Sequence, residues 1–209
     1  PASAKARDGL GPLLNAKSCS GCHNKDGRGL PMLNSGDISK GFLMRISIPG
    51  ENKKGGPKPH PQYGDQWQDQ AIDGTQEGKI NITYTYKTIY YDDGHSVQLR
   101  VPHYELVDRK GNIVNDVLTS PRVAQHIIGM GLIEAIDRTD IIANQTSEEA
   151  IEWGVSGKIN WVFDEVSRQF DVGRYGWKAG QPTIAQQVAA AFKGDMGITS
   201  PIYKNDNQT

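Results

Sequence analysis

The sequence is poor in the features that would stabilise a disulfide scaffold or anchor a protein in a membrane. It contains only 2 cysteines, Cys19 and Cys22, and a disulfide between such close positions would close too small a loop to add much stability. No apolar run approaches the roughly 20 residues that a membrane-spanning helix needs. The formal net charge is -1, so there is neither a basic surface for nucleic acid nor an acidic tail. We therefore expect no disulfide framework, no membrane span and no nucleic-acid partner.

The two cysteines belong to a motif with a defined chemistry. Cys19-Ser20-Gly21-Cys22-His23 has the C-x-x-C-H spacing by which haem c is attached. Two thiols one helical turn apart can add to the vinyl groups on one porphyrin edge, and the following histidine then lies beneath the iron. The motif predicts one haem c bound through Cys19 and Cys22, with His23 as an axial iron ligand. Because haem c is attached outside the cytoplasm, it also predicts a periplasmic, exported protein.

Two other interpretations of the cysteine pair remain open. A thioredoxin-like redox pair would follow a strand and begin a helix, which the residues before Cys19 do not suggest. A zinc site would need a fourth ligand, and the adjacent Cys22 and His23 rarely reach one tetrahedral ion together.

We predict a mainly α fold, with a cytochrome c-like haem core, an inserted β-hairpin and long loops. The expected domain spans 1–202, and the polar segment 203–209 reads as a tail or a linker to a missing second haem domain. Within 77–108 the apolar positions alternate with polar ones, which predicts the hairpin insert.

Helix signals are strongest near the end of the chain. Thr183 and Gln186 have capping-box spacing and predict a helix that runs until Gly194, with Asp195 and Met196 just beyond it. We also predict a short helix before the haem turn within 1–30, a doubtful helix over 123–136, and helices starting near Thr139 or Asp140 and at Thr146.

Several blocks, taken in order, resemble the di-haem oxidoreductase family, whose members are described as peroxidases or thiol oxidoreductases. The blocks are Gly9 to Asn15, Cys19 to Gly29, Ser120 to Ala124, Ile128 to Ile136, Tyr175 to Ala179, and Asp195 to Ser200. This family is akin to bacterial di-haem cytochrome c peroxidases, in which one haem reduces peroxide and the other relays electrons. Thiol oxidation has no support here, because the only two thiols are used for haem attachment.

The resemblance implies roles for three further residues. Trp177 matches a tryptophan beside the N-terminal haem, while Gln187 and Asp195 match residues over the haem face opposite His23. Asp195 replaces a glutamate of the family pattern, with a shorter side chain and a slightly shorter spacing. Positioning a peroxide and moving its proton would suit Gln187 and Asp195. A solvated helix-face glutamine and a helix-terminal aspartate are the alternatives.

The family carries two C-x-x-C-H motifs, and this chain has one. The resemblance therefore implies either a second haem domain or a separate redox partner protein, with peroxide as a small-molecule oxidant. It also leaves open a calcium ion near the haem. Arg45, set among apolar residues, could pair with a haem propionate or be an ordinary surface arginine.

The second axial ligand of the iron would decide the function. Met196 is the first choice, since it follows the last helix in a glycine-flanked turn. Met32, Met44 and Met130 are other thioether candidates, of which Met44 and Met130 lie in apolar runs typical of core. Four histidines are also candidates. His60 and His95 are expected to be solvated, whereas His103 or His126 could form a bis-His haem with His23.

Two functions follow from these alternatives. An iron with an open position would support a peroxidase-like oxidoreductase, with Gln187 and Asp195 over the metal. An iron closed by Met196 or a second histidine would make the chain a non-catalytic electron-transfer module.

Overall fold

The computed structural model describes residues 9–33, 36–145, 152 and 154–205. The fold is mainly β, with 33% strand and 18% helix, so the prediction of a mainly α cytochrome c-like core is wrong. The error arises because the apolar run that begins at Phe42 received no strand prediction, yet it forms a strand of 10 residues. Its buried residues alternate, as the pleat of a strand requires.

The central sheet has the order β3-β2-β7 and contains only antiparallel pairs. Its strands are β2 (Phe42–Glu51), β3 (Pro57–Lys58) and β7 (Leu118–Val123). Phe42, Met44 and Ile46 on one face of β2 are buried and form the hydrophobic core with Trp67 and Leu106. The opposite face of β2 carries Leu43, Arg45 and Ser47.

The predicted hairpin is present and pairs β5 (Gly78–Tyr90) with β6 (Ser96–Asp108) in unbroken register. Leu106 and Val107 at its base are buried, whereas Tyr86, Tyr90 and Leu99 toward its tip are exposed. Gly78 is required at the base, since a Cβ there would lie 2.0 Å from the Val107 carbonyl oxygen. The hairpin is therefore rooted in the core and projects from it.

Two small sheets complete the β structure. One pairs β1 (Leu13–Leu14) with β4 (Gln70–Ala71), and the other pairs β8 (Trp161–Phe163) with β9 (Phe170–Val172). Residues 9–18 contain no helix, so the helix predicted before the haem turn is not found in the described part of 1–30.

The helices are short except for the last one. They are α1 (Cys19–Cys22), a 3-10 turn (Asn24–Asp26), α2 (Met130–Glu134), α3 (Arg138–Asn144) and α4 (Ile184–Met196). The helix considered over 123–136 is reduced to α2, because β7 continues to Val123. The helix predicted near Thr139 is α3, which begins at Arg138 after its N-cap Asp137. The helix predicted at Thr146 lies outside the described residues.

Helix α4 begins as predicted and ends later. Thr183 caps it by accepting the backbone N–H of Gln186 (3.2 Å). The predicted end of the helix at Gly194 was wrong. The helix continues through Met196 and stops at Gly197, which has a left-handed φ of 65°. Asp195 and Met196 therefore lie in the last helical turn.

Tyr203, predicted to start the polar tail, lies close to α4. The Ser200 backbone N–H donates to the Tyr203 carbonyl (2.7 Å), and the Lys193 ammonium lies 5.8 Å from the centre of the Tyr203 ring. Among the described helices, none is long and apolar enough to cross a membrane.

We expect Met44→Ala to lower the free energy of unfolding by about 2–5 kcal/mol, because Met44 is fully buried and its truncation leaves a cavity. Leu99→Ala on the exposed part of the hairpin is the matched control and should change it by less than about 1 kcal/mol. Urea denaturation of both variants measures the difference. Equal losses in the two variants would contradict the assignment of the core.

Candidate functional site

Cys19 and Cys22 lie at the two ends of the single turn α1. The His23 backbone N–H donates to the Cys19 carbonyl oxygen (2.8 Å), which closes the turn and places the histidine directly after it. Both thiols are free, with Cys19 exposed and Cys22 partly buried. The spacing therefore produces the arrangement that covalent haem attachment requires, two sulfurs on one short turn with an imidazole at its end.

The imidazole of His23 is oriented by the segment that follows β7. Its Nδ1 lies 2.6 Å from the Gln125 carbonyl oxygen, which can only accept a hydrogen bond. Nδ1 therefore carries the proton, and the lone pair of the neutral ring is on Nε2. A backbone carbonyl that fixes ring orientation and tautomer in this way is typical of metal-bound histidines.

Two glycines allow the segment from Cys19 to Gly29, here called the haem loop, to lie close to the central sheet. The Gly29 backbone N–H donates to the Ala124 carbonyl (2.9 Å), and the Ala124 N–H donates to Gly41 (2.7 Å). A Cβ on Gly29 would lie 2.9 Å from Gly41 Cα and from the Cys22 carbonyl oxygen. The close approach therefore depends on glycine at both positions and holds Cys22 beside β2 and β7.

The surroundings of Cys22 argue against the thioredoxin-like alternative. Burial, reinforced by the carboxylates of Asp195 and Asp69, raises the pKa of the Cys22 thiol to about 11. Reactive redox cysteines have a lowered pKa, because the thiolate is the nucleophile. Zinc has no support either, since no group of three or more His, Cys, Asp or Glu in the described part of the chain could hold a metal ion.

The last turn of α4 lies against the segment that leads into the haem motif. The Asp195 carbonyl oxygen accepts the backbone N–H groups of Asn15 and Ala16 (2.9 Å each), and the Met196 carbonyl accepts that of Gly11 (3.1 Å). A Cβ on Gly11 would lie 2.4 Å from the Gly197 carbonyl oxygen, so glycine is needed at this crossing. The backbone thus holds Asp195 and Met196 close to the approach to Cys19.

A buried polar strip lies between α4 and the central sheet. Gln66 Nε2 donates to Asn15 Oδ1 (2.7 Å), to Asp195 Oδ1 (2.8 Å) and to the Gly194 carbonyl (3.1 Å). Gln68 Nε2 donates to the same Gly194 oxygen (2.8 Å). Gln66, Gln68 and Asn15 are almost fully buried. The strip was not predicted from the sequence. The signal was the glutamine at every second position, 66, 68 and 70, because alternate residues of an extended segment point to the same side.

Asp195 contributes a carboxylate to this strip. Desolvation raises its pKa above the ordinary value, opposed by the hydrogen bond from Gln66 and by the charges of Arg45 and His23. Its negative charge in turn contributes to the raised pKa of the Cys22 thiol. Asp195 is therefore a partly buried acid close to the predicted iron ligand and one thioether position.

Arg45 and Trp177 both contact elements that surround this region. Arg45 donates to Gln66 Oε1 (2.9 Å) and forms an ion pair with Asp65 (2.5 Å). Trp177 Nε1 donates to the Val123 carbonyl (2.7 Å), and the Arg28 guanidinium lies 5.3 Å from the centre of its ring. The structure thus places Trp177 beside the haem loop, while Arg45 lies in the polar strip near Asp195.

Gln187 lies on the same helix as Asp195 but further from the strip. Its side-chain oxygen faces Gly176, where an added Cβ would lie 3.4 Å away. The two residues are eight positions apart in an unbroken α-helix, which at 1.5 Å per residue corresponds to roughly 12 Å along the axis. The two side chains therefore start far apart relative to the size of a peroxide molecule.

The other candidate iron ligands are mostly engaged elsewhere. Met44 is a core residue, Met32 accepts the Tyr84 hydroxyl (2.7 Å), and His103 Nε2 bonds the Thr85 hydroxyl on the hairpin (2.8 Å). His60 was expected to be solvated but is buried, bonding Asp116 and two backbone N–H groups. His95 is exposed, as predicted.

Two candidates lie near the haem loop besides Met196. His126 follows Gln125 directly and is exposed, with its Nδ1 4.0 Å from a Cβ built on Gly27. Met130 begins α2, and its carbonyl oxygen accepts the Tyr175 hydroxyl (2.9 Å). Met196 remains the candidate whose backbone contacts the segment before Cys19.

Exposed apolar side chains adjoin the haem loop, as a haem site requires. The Ile127 backbone N–H donates to the Asp26 carbonyl (3.2 Å), which fixes the start of this surface to the haem loop. Its exposed members are Ile127, Ile128, Leu132, Ile133, Ile136 and Trp177. Exposed apolar side chains such as these are available for contact with an apolar group such as a porphyrin. Together with the orientation of His23, they show that the residues present fit a haem.

A separate cleft of about 750 Å³ borders the polar strip. Gln66, Gln68, Glu77 and Tyr203 are among its lining residues, whereas Cys19, Cys22 and His23 are not. The cleft is therefore not the haem site. Glu77 joins it to the strip, since its carboxylate accepts the Gln68 backbone N–H (2.6 Å).

Comparison with known proteins identifies one family. The family described as "Di-haem oxidoreductase, putative peroxidase" matches residues 1–208, nearly the whole chain. No curated protein matches significantly. No solved structure matches significantly either.

We expect stability to fall as pH rises through the titration of Glu77. Desolvation raises the pKa of this carboxyl from 4.5 to about 7, so the folded state binds the proton more tightly than the unfolded state. The neutral acid is favoured in the fold, and its stabilising effect is full below pH 4.5 and is lost as pH rises through about 7.

Glu77→Gln removes this titration while keeping a side chain of similar shape. Relative to this variant, the wild-type free energy of unfolding should fall by up to about 3 kcal/mol across that window. Asp108→Asn, at an exposed carboxyl with a lowered pKa, is the control. Parallel pH profiles for wild type and Glu77→Gln would refute the assignment.

Proposed function

We propose that this chain, which belongs to the di-haem oxidoreductase family, carries one haem c and serves as the haem domain of a peroxidase-like oxidoreductase. The observation that carries the proposal is the hydrogen bond from His23 Nδ1 to the Gln125 carbonyl (2.6 Å). It leaves Nε2 as the free ligand atom, directly after two free thiols on one turn. The cofactor would supply an iron that accepts electrons and passes them to an oxidant.

Asp195 supports an acid–base role for this chain's own residues. Burial raises its pKa, which brings protonated and ionised forms closer in energy near neutral pH than in a solvated aspartate. Gln66 fixes the orientation of the carboxylate through Oδ1. Asp195 would take and return a proton at its carboxylate oxygen, while Gln187 would hold the substrate by donating a hydrogen bond.

The separation of Gln187 and Asp195 favours a second candidate function. Groups that start roughly 12 Å apart along a helix do not readily converge on one peroxide. Met196, next to Asp195, could instead close the iron, and the chain would then be a non-catalytic electron-transfer module. We retain the peroxidase-like function as first choice because of the family.

The proposal requires a second redox centre. The chain has cysteines for one covalent haem only, and the family description names two. We propose that the second haem lies in another domain or in a redox partner protein, and that both are exported to the periplasm, where haem c is attached. A calcium ion stays a prediction from the resemblance.

We expect the protein, produced in a host that matures haem c, to be heavier than the bare polypeptide by one haem. Cys19→Ser and Cys22→Ser should each retain one thioether bond at most, and the double variant should contain no covalent haem. His23→Ala, which removes the proposed axial ligand, should change the absorption spectrum of the haem, and His95→Ala, at an exposed position on the hairpin tip, is its control. Intact mass and the reduced alkaline pyridine spectrum check these outcomes. A colourless wild-type protein of bare polypeptide mass would contradict the proposal.

We expect Asp195→Asn to slow the spectral reaction with hydrogen peroxide by roughly 100-fold, the lower end of the usual contribution of a general acid or base, while haem content is unchanged. Asp93→Asn at the hairpin tip is the matched control. Stopped-flow absorption measures the rate.

The second candidate predicts a different spectrum. A wild-type ferric spectrum with the band of methionine-ligated iron, lost in Met196→Leu, would replace the peroxidase-like function by electron transfer. A high-spin ferric spectrum that shifts on adding cyanide supports the peroxidase-like function.

A further inference from the structure

Arg122 has a buried hydrogen-bond donor with no partner. It lies on β7 opposite Leu43, and its Nε has no hydrogen-bond partner in the described structure although it is shielded from solvent. Among the described residues, Arg122 forms no ion pair. A partly buried guanidinium with an unmatched donor is costly unless a bound group satisfies it.

A second arginine lies on the same face of the sheet. β2 pairs with β7 so that Arg45 is opposite Ser120 and Leu43 is opposite Arg122, which places both guanidinium groups on one side. Burial, with a further contribution from the charge of Arg45, lowers the pKa of Arg122, and the negative charge of Asp65 opposes this effect. Asp65 forms an ion pair with Arg45, and the positive charge of Arg45 also stabilises the ionised form of Asp195. Asp65 therefore acts on Arg122 through its charge alone, and no carboxylate in the described part of the chain forms an ion pair with Arg122.

This face extends from the haem loop. Ala124, two residues after Arg122, contacts Gly29 and Gly41, and Gln125 orients His23. Two strand residues correspond to roughly 7 Å, so Arg122 lies further along the sheet from the cysteine end of the site. Haem propionates extend from the porphyrin edge opposite the vinyl groups that Cys19 and Cys22 would bind.

We propose that Arg122, supported by the charge of Arg45, binds a propionate carboxylate of the haem. The inference rests on the proposed function, since it needs a haem held by Cys19, Cys22 and His23. The carboxylate would accept the Arg122 Nε–H and an adjacent Nη–H, the bidentate pairing for which guanidinium geometry is suited. Arg45 stays bonded to Asp65 and Gln66 and contributes its positive charge.

The test is the redox midpoint potential of the haem in the mature protein. Arg122→Gln removes a positive charge near the iron, which stabilises the more positive ferric form, so the potential should fall. We expect a roughly tenfold change in the ferric–ferrous equilibrium, about 59 mV for one electron. Arg122→Lys should give a smaller fall, because the charge stays while the bidentate geometry is lost. Arg100→Gln on the hairpin, where Arg100 lies over Tyr84, is the matched control.

A second readout reports on the propionate directly. The resonance Raman bending band of the propionates should shift in Arg122→Gln and not in Arg100→Gln. If a free anion occupied the site instead, inorganic phosphate at constant ionic strength would shift the wild-type potential, and the propionate band would not respond to Arg122→Gln. That result, or an unchanged potential and band in Arg122→Gln, would overturn the inference. Absence of covalent haem from the wild type would instead refute the proposed function.

Discussion

The arrangement of this protein depends on how the buried C-terminal end of α4 satisfies its carbonyl groups. The last carbonyls of a helix have no partner within it, and burying them without donors is costly. Here Gly194 accepts from Gln66 and Gln68, Asp195 accepts from Asn15 and Ala16, and Met196 accepts from Gly11. These bonds join three distant parts of the chain, so the helix end, the approach to the haem motif and the polar strip hold one another in place.

The same bonds create the chemistry of the site. A helix end held against the residues before Cys19 brings a carboxylate close to a thiol and an imidazole, and the burial raises the pKa of Asp195 and of Cys22. On the other side of the haem motif, one backbone carbonyl determines which nitrogen of His23 is free. Stability and function therefore rest on the same hydrogen-bonded contacts, since each contact both satisfies a buried group and orients a chemical one.

Local signals in the sequence predicted local structure well. The alternation over 77–108 predicted the hairpin, and the Thr183 cap predicted the start of α4, because period and capping depend on neighbouring residues. The mainly α fold was wrong because β2 finds its hydrogen-bond partner in β7, more than sixty positions away, and Pro121 within β7 gave no strand signal. His60 was misread for a similar reason, since its partner Asp116 is remote in the sequence.

The sequence by itself determined the attachment motif and the family, since Cys19, Cys22 and His23 act through short-range spacing and the family blocks occur in order along the chain. Only the tertiary structure decided the tautomer of His23, the burial of Asp195 and the unpartnered donor of Arg122. Each of these depends on contacts between distant residues, and a carbonyl such as that of Gln125 leaves no trace in side-chain pattern, because every residue has one.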